Sequence, residues 1–126
     1  MLTSNELESL LSCLKETKGS FHDIAQSFYK RFPKNEQFRA GCAICMLLQD
    51  KLLSLPQRLI GYYLLYDIYR SETQQISPYV PVVLDAIQST DDGRERRFLL
   101  HFLSSLPKDV SLPFLFRNYK TNRKCL

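Results

Sequence analysis

Residues 54–71 read Ser54-Leu55-Pro56-Gln57-Arg58-Leu59-Ile60-Gly61-Tyr62-Tyr63-Leu64-Leu65-Tyr66-Asp67-Ile68-Tyr69-Arg70-Ser71. Ser54 is a capping residue, Pro56 suits a first helical turn because its missing N–H is not needed there, and Gln57 can complete a capping box. A helix to about Ser71 follows. Between 59 and 69 only Gly61 and Asp67 are neither apolar nor aromatic. Leu59, Ile60, Tyr63 and Leu64 load one face, and Tyr62, Leu65, Tyr66 and Tyr69 load the other. A surface helix carries a single apolar stripe, so this one demands neighbours on several sides.

The flanking sequence supplies them as further helices. Thr3-Ser4-Asn5-Glu6 fits a capping box, and Leu7, Leu10, Leu11 and Leu14 follow at helical spacing. A second helix is expected from Ser20 to Phe32, with Phe21, Ile24, Ala25, Phe28 and Phe32 on one face and Pro33 as its stop. A third, about Asn35 to Gln49, starts amphipathic at Phe38 and becomes apolar all round from Cys42 to Leu48. Downstream, Pro78 and Pro81 break helix continuity across 77–81. Val82, Val83, Leu84, Ala86 and Ile87 then suit a short helix or a buried extended piece, of which helix is the choice. Thr90-Asp91-Asp92-Gly93 reads as a turn, and Arg94 to Leu106 resumes helical spacing through Phe98, Leu99, Phe102 and Leu103. No segment sustains a period of two, and no internal repeat stands out. The expected class is all-α: antiparallel helical hairpins in a compact bundle or short helical-repeat-like stack of roughly six to seven helices.

A chain of 126 residues with four glycines is the length of one domain, with a core large enough to fold without disulfide or metal. Its apolar content excludes a disordered or collagen-like chain. The helical domain is expected over 1–109, and an apolar then basic tail over 110–126. The net charge of +4 sits in that tail, where Arg117, Lys120, Arg123 and Lys124 stand without an acid. The balanced remainder makes no electrostatic case for wrapping a phosphate backbone. The longest apolar run, Cys42 to Leu48, is far short of the roughly 20 residues of a membrane span. No basic, then apolar, leader opens the chain. A cytosolic and nuclear location is the expectation, with Cys13, Cys42, Cys45 and Cys125 as reduced thiols.

Candidate chemistry is thin. Cys42-Ala43-Ile44-Cys45 has the CxxC spacing of redox pairs and half-sites for zinc, but it lies mid-helix among apolar residues. His22 and His101 are isolated, and no second ligand pair completes a tetrahedral site. Buried core thiols are the reading, with a redox or metal enzyme as the rejected alternative. His101, beside Phe98 and Phe102, reads as a packing histidine. No GxGxxG or GxxxxGK loop is present. No enzyme activity, cofactor or metal is expected.

What remains is apolar helix surface in excess of what a small body encloses. Tyr62, Leu65, Tyr66, Tyr69 and Arg70, together with Phe114 and Phe116, are the candidate protein-binding residues, and packing of the tyrosine stripe inside, under the C-terminal segment, is the equal alternative. Tyrosine brings large area, little side-chain entropy and a polar tip for an interface rim. The competing reading of the tail is an RNA-binding helical domain, with Tyr119 interleaved among its bases.

Phe38-Arg39-Ala40-Gly41, Met46-Leu47-Leu48-Gln49, Leu52-Leu53, Gln57-Arg58-Leu59, Leu64-Leu65 and Tyr69-Arg70 resemble the N-terminal domain of the eleventh subunit of the CCR-NOT deadenylase complex. Leu2-Thr3 resembles that family's opening, Pro78-Tyr79 its proline-aromatic step, and Phe98 to Lys108 its later helix. The resemblance covers about residues 2 to 109. It implies a non-enzymatic scaffold domain that binds the tetratricopeptide-like tenth subunit and the N-terminal region of the large NOT scaffold. The complex shortens mRNA poly(A) tails and represses translation, with the nuclease in other subunits. The family's C-terminal domain has no counterpart in these residues, and 110–126 depart from its continuation, so a shortened or divergent member is expected.

Overall fold

A computed structural model describes residues 2–16, 18–72 and 79–105. The class is all-α, with six α-helices and one 3-10 turn among the described residues. The chain divides into two compact units, Met1–Tyr79 and Val80–Leu126. This division falls inside the stretch read as one domain.

In the first unit, α1 (Ser4–Lys15) is opened by Thr3. The Glu6 N–H donates to Thr3 Oγ1 at 3.2 Å and the Thr3 N–H donates to Glu6 Oε1 at 3.0 Å, which satisfies two donors that a helix start otherwise orphans. Next comes α2 (Phe21–Arg31), capped by Ser20, whose Oγ accepts from the Asp23 N–H at 3.1 Å. It ends at Phe32, before Pro33. A 3-10 turn (Lys34–Glu36) precedes α3 (Gln37–Gln49), so the α-helix starts later than the expected Asn35. α3 ends in a Schellman motif: the Leu52 N–H donates to the Leu47 carbonyl at 3.4 Å and the Lys51 N–H to the Leu48 carbonyl at 3.2 Å. Lys51 takes the left-handed position with φ 57°.

The quoted stretch forms α4 (Leu55–Glu72), with Gln57 Oε1 accepting from the Ser54 N–H at 3.0 Å. α1 packs on α2 and α3 on α4, the expected successive hairpins, and α4 also packs on α1 and α2. Three neighbouring helices explain why α4 is apolar nearly all round. Ile60, Leu64, Leu65 and Ile68 are buried with Leu10, Leu14, Ile24, Phe28 and Ile44 in the core. Arg39 ties α3 to α1 through Glu6 at 3.3 Å. Arg31 ties α2 to α1 through the Ser9 carbonyl at 3.0 Å.

Tyr79 closes the unit against Gly41 of α3. A Cβ at Gly41 would fall inside the contact distance of Tyr79 Oη and 3.0 Å from Cζ, so only a glycine lets the ring approach.

The second unit holds α5 (Val80–Ser89) and α6 (Gly93–Ser104), which pack on each other. α5 is helical from Val80, and Pro81 is accommodated in its first turn, where no intrahelical donor is required. Val80, Val82, Val83, Ile87, Leu99, Phe102 and Leu103 are buried. Asp92 caps α6, its Oδ1 accepting from the Glu95 N–H at 2.8 Å while its own N–H donates to Thr90 Oγ1 at 3.1 Å.

Candidate docking surface

The position of α4 decides which of its residues face water. Tyr62 is 1% exposed and Leu65 0%, which removes both from the candidate docking set. The second apolar face of α4 is largely consumed inside the fold, because α1, α2 and α3 cover most of its circumference. Tyr66 and Tyr69 are half-buried and Arg70 is exposed. The Arg70 guanidinium carbon lies 5.4 Å from the Tyr66 ring centroid, a cation–π contact. Phe114 and Phe116, like Leu106 and the basic tail, lie outside the described residues.

Beside Tyr66, the outer sector of α4 is joined to α2. Phe21 and Tyr63 stack with centroids 4.9 Å apart and planes at 15°, and the Tyr29 hydroxyl donates to Asp67 Oδ2. At the N-terminal end of this sector an open cavity of about 310 Å³ is lined by Phe21, Ile24, Pro56, Leu59 and Ile60. It offers apolar contact and no convergent set of polar groups, so it has no chemistry of its own.

In this sector Phe21 is 39% exposed, and the most exposed apolar side chains of the unit, Met46 and Leu52, sit elsewhere. On α3, Phe38, Cys42 and Met46 follow one another at i, i+4 and i+8, one above the other on one face. Phe38 is 40% exposed, Met46 54% and Leu52, just past the helix, 68%; Cys42 is half-buried. The all-round apolar run from Cys42 to Leu48 was the signal for this ridge. Which side of α3 stayed open was not written in the run itself.

The cysteine pair is chemically quiet. Burial pushes the Cys45 thiol up to about 12 and raises Cys42 as well, the opposite of the lowered pKa that a redox pair needs. Cys13, Cys42 and Cys45 are free thiols. Among the described residues no group of three His, Cys, Asp or Glu side chains could hold a metal ion. His101 is exposed and is therefore not a buried packing histidine. At this point of α6 the buried face is formed by Leu99, Phe102 and Leu103, and position 101 turns outward. No described helix is long and apolar enough to cross a membrane.

The described residues define an all-helical protein whose first unit exposes apolar side chains along α3. The chain matches the family described as the CNOT11 N-terminal domain over residues 22–121, and it belongs to that family. The match starts later than the resemblance read from the sequence and runs past residue 109 into the stretch set apart as a tail. A curated relative, the CCR4-NOT transcription complex subunit 11 of Dictyostelium discoideum, is 41% identical over 78 residues, which cover 61% of this chain. The aligned part spans only 12% of that protein's length. No solved structure matches.

Proposed function

We propose that this chain is a non-catalytic scaffold domain of the CCR4-NOT complex, which docks through the exposed ridge of α3 on the tenth subunit and the N-terminal region of the large NOT scaffold. Its contribution to mRNA deadenylation and translational repression, in cytoplasm and nucleus, is to hold subunits together and not to cleave. Family membership over residues 22–121 carries this reading. The surface supports it: Phe38, Met46 and Leu52 are exposed close together at α3 and its end, and clustered apolar side chains form the dry centre of protein interfaces.

The experiment is co-purification of the full chain with the tenth subunit and the large scaffold. Met46→Asp with Leu52→Asp should abolish assembly while leaving the melting temperature within a few degrees, because both side chains are more than half exposed. Retained assembly in that variant would remove α3 from the interface. On α4, Tyr69 is half-buried and Arg70 exposed, and Tyr69→Asp with Arg70→Glu tests that location in the same assay. If both variants assemble like wild type, the docking reading of this unit fails.

A further inference from the structure

We propose that the outer face of α6 is a docking site for an acidic helical segment of a partner protein. α6 carries Arg94, Arg96 and Arg97 in its first turns and His101 further on. The arginines are not equivalent. Arg96 folds back and donates to the Thr90 carbonyl at 2.6 Å, bracing the corner between α5 and α6. Arg94 and Arg97 are exposed, and neither makes an ion pair or hydrogen bond among the described residues.

The acids nearby do not neutralise them. Glu95, the one acid within α6, is 2% exposed, and the Asp92 carboxylate accepts from the Glu95 N–H as the helix cap. Asp91, exposed in the preceding turn, stands at the end of the helix and not along its side. Arg94, Arg97 and His101 fall at i, i+3 and i+7 and therefore share one face. Leu100, 38% exposed, borders it.

Two guanidinium forks one turn apart match carboxylates three or four residues apart on a second helix, and each fork can take a carboxylate through two parallel hydrogen bonds. The same charges would suit a phosphate backbone, but single-stranded nucleic acid gains much of its affinity from stacking on aromatic rings. Here the phenylalanines of α6, Phe98 and Phe102, are half-buried and buried, and the exposed apolar neighbour is the aliphatic Leu100. A polypeptide with a mixed acidic and apolar face fits that surface better. The site lies in the second unit, so it stands or falls separately from the α3 ridge.

The test uses the full chain and a fluorescein-labelled helical peptide of about 18 residues, long enough to hold helical structure, with glutamates at i and i+4 and leucines beside them. A peptide with glutamine in place of glutamate and a uridine oligonucleotide of similar length serve as the other probes. Wild type is expected to bind the glutamate peptide and to lose affinity as salt rises, since exposed charge pairs are screened. Arg94→Glu with Arg97→Glu should weaken binding about tenfold or more by placing like charges opposite each other. The glutamine peptide should not bind. Should the charge-reversed chain fail to fold by circular dichroism, Arg94→Ala with Arg97→Ala gives the same reading with a smaller loss. Unchanged affinity in the variants, equal binding of the glutamine peptide, binding of the oligonucleotide alone, or no binding of any probe would each overturn the proposal.

Discussion

Replacing Gly41 by alanine sets two effects against each other within one methyl group. In a helix interior alanine is favoured over glycine by about 1 kcal/mol. The new Cβ would meet Tyr79 Oη inside contact distance and Cζ at 3.0 Å, and the Tyr79 ring is 0% exposed, with no room to swing outward. Overpacking of this kind costs roughly 1–3 kcal/mol, and contact with a fully enclosed ring belongs in the upper part of that range. The net expectation is a loss of about 1–2 kcal/mol, visible as a drop of several degrees in a thermal melt followed by circular dichroism.

Gly61 is the internal control. There a Cβ would meet Leu14 and Leu48 methyls at an ordinary 3.9 Å and Ile44 Cγ2 at 3.3 Å, a contact that a shift of a few tenths of an ångström relieves. Gly61→Ala should therefore cost less than Gly41→Ala. Tyr79 Oη is buried without a hydrogen-bond partner among the described residues, so Tyr79→Phe should not destabilise, and it should restore part of the stability lost in Gly41→Ala. Equal melting of Gly41→Ala and Gly61→Ala, or no rescue by Tyr79→Phe, would refute the steric account.

Lys51 holds a left-handed φ of 57° that glycine adopts freely, so Lys51→Gly should stabilise the chain by about 0.5–1 kcal/mol, read as a higher urea midpoint. Glu6 is held below its usual value of 4.5, first by the Thr3 backbone N–H and then by the Thr3 hydroxyl, with Arg39 adding to it. A depressed carboxylate stabilises the fold above its unfolded value, and the effect is lost as pH falls through the folded one. The melting temperature of wild type should thus fall below pH 4.5 more steeply than that of Glu6→Gln, and parallel curves would remove the helix cap as the cause. Cys45 is raised to about 12, so at about pH 8 only ~10⁻⁴ of it is ionised, and labelling with a thiolate-specific reagent, read at the Cys45 peptide by mass spectrometry, should be slow in the native chain and fast once it is denatured. Fast native labelling of that peptide would contradict the burial.

Local signals carried the helices. Thr3 with Glu6, Ser20, Ser54 with Gln57, and Asp92 each mark a start through atoms within four residues, so no distant partner is needed to recognise them. The same holds for Pro33 as a stop. The start of α5 was missed by two residues because Pro81 was read as a breaker, whereas in a first turn it is compatible with helix. His101 was read as packed because it stands one turn from Phe98, but that flank of α6 is itself open: Phe98 is half-buried and His101 exposed.

The amino-acid order alone determined that the chain is helical, where most helices begin, that α4 must be surrounded, and which family it resembles, because these depend on spacing and short-range hydrogen bonds. Only the tertiary structure decided which residues remain open. It enclosed Tyr62 and Leu65, left Phe38 and Met46 at the surface, and joined Gly41 to Tyr79 across a long stretch of chain. Periodicity can count apolar faces, but which of them is covered depends on helices that approach from elsewhere in the fold.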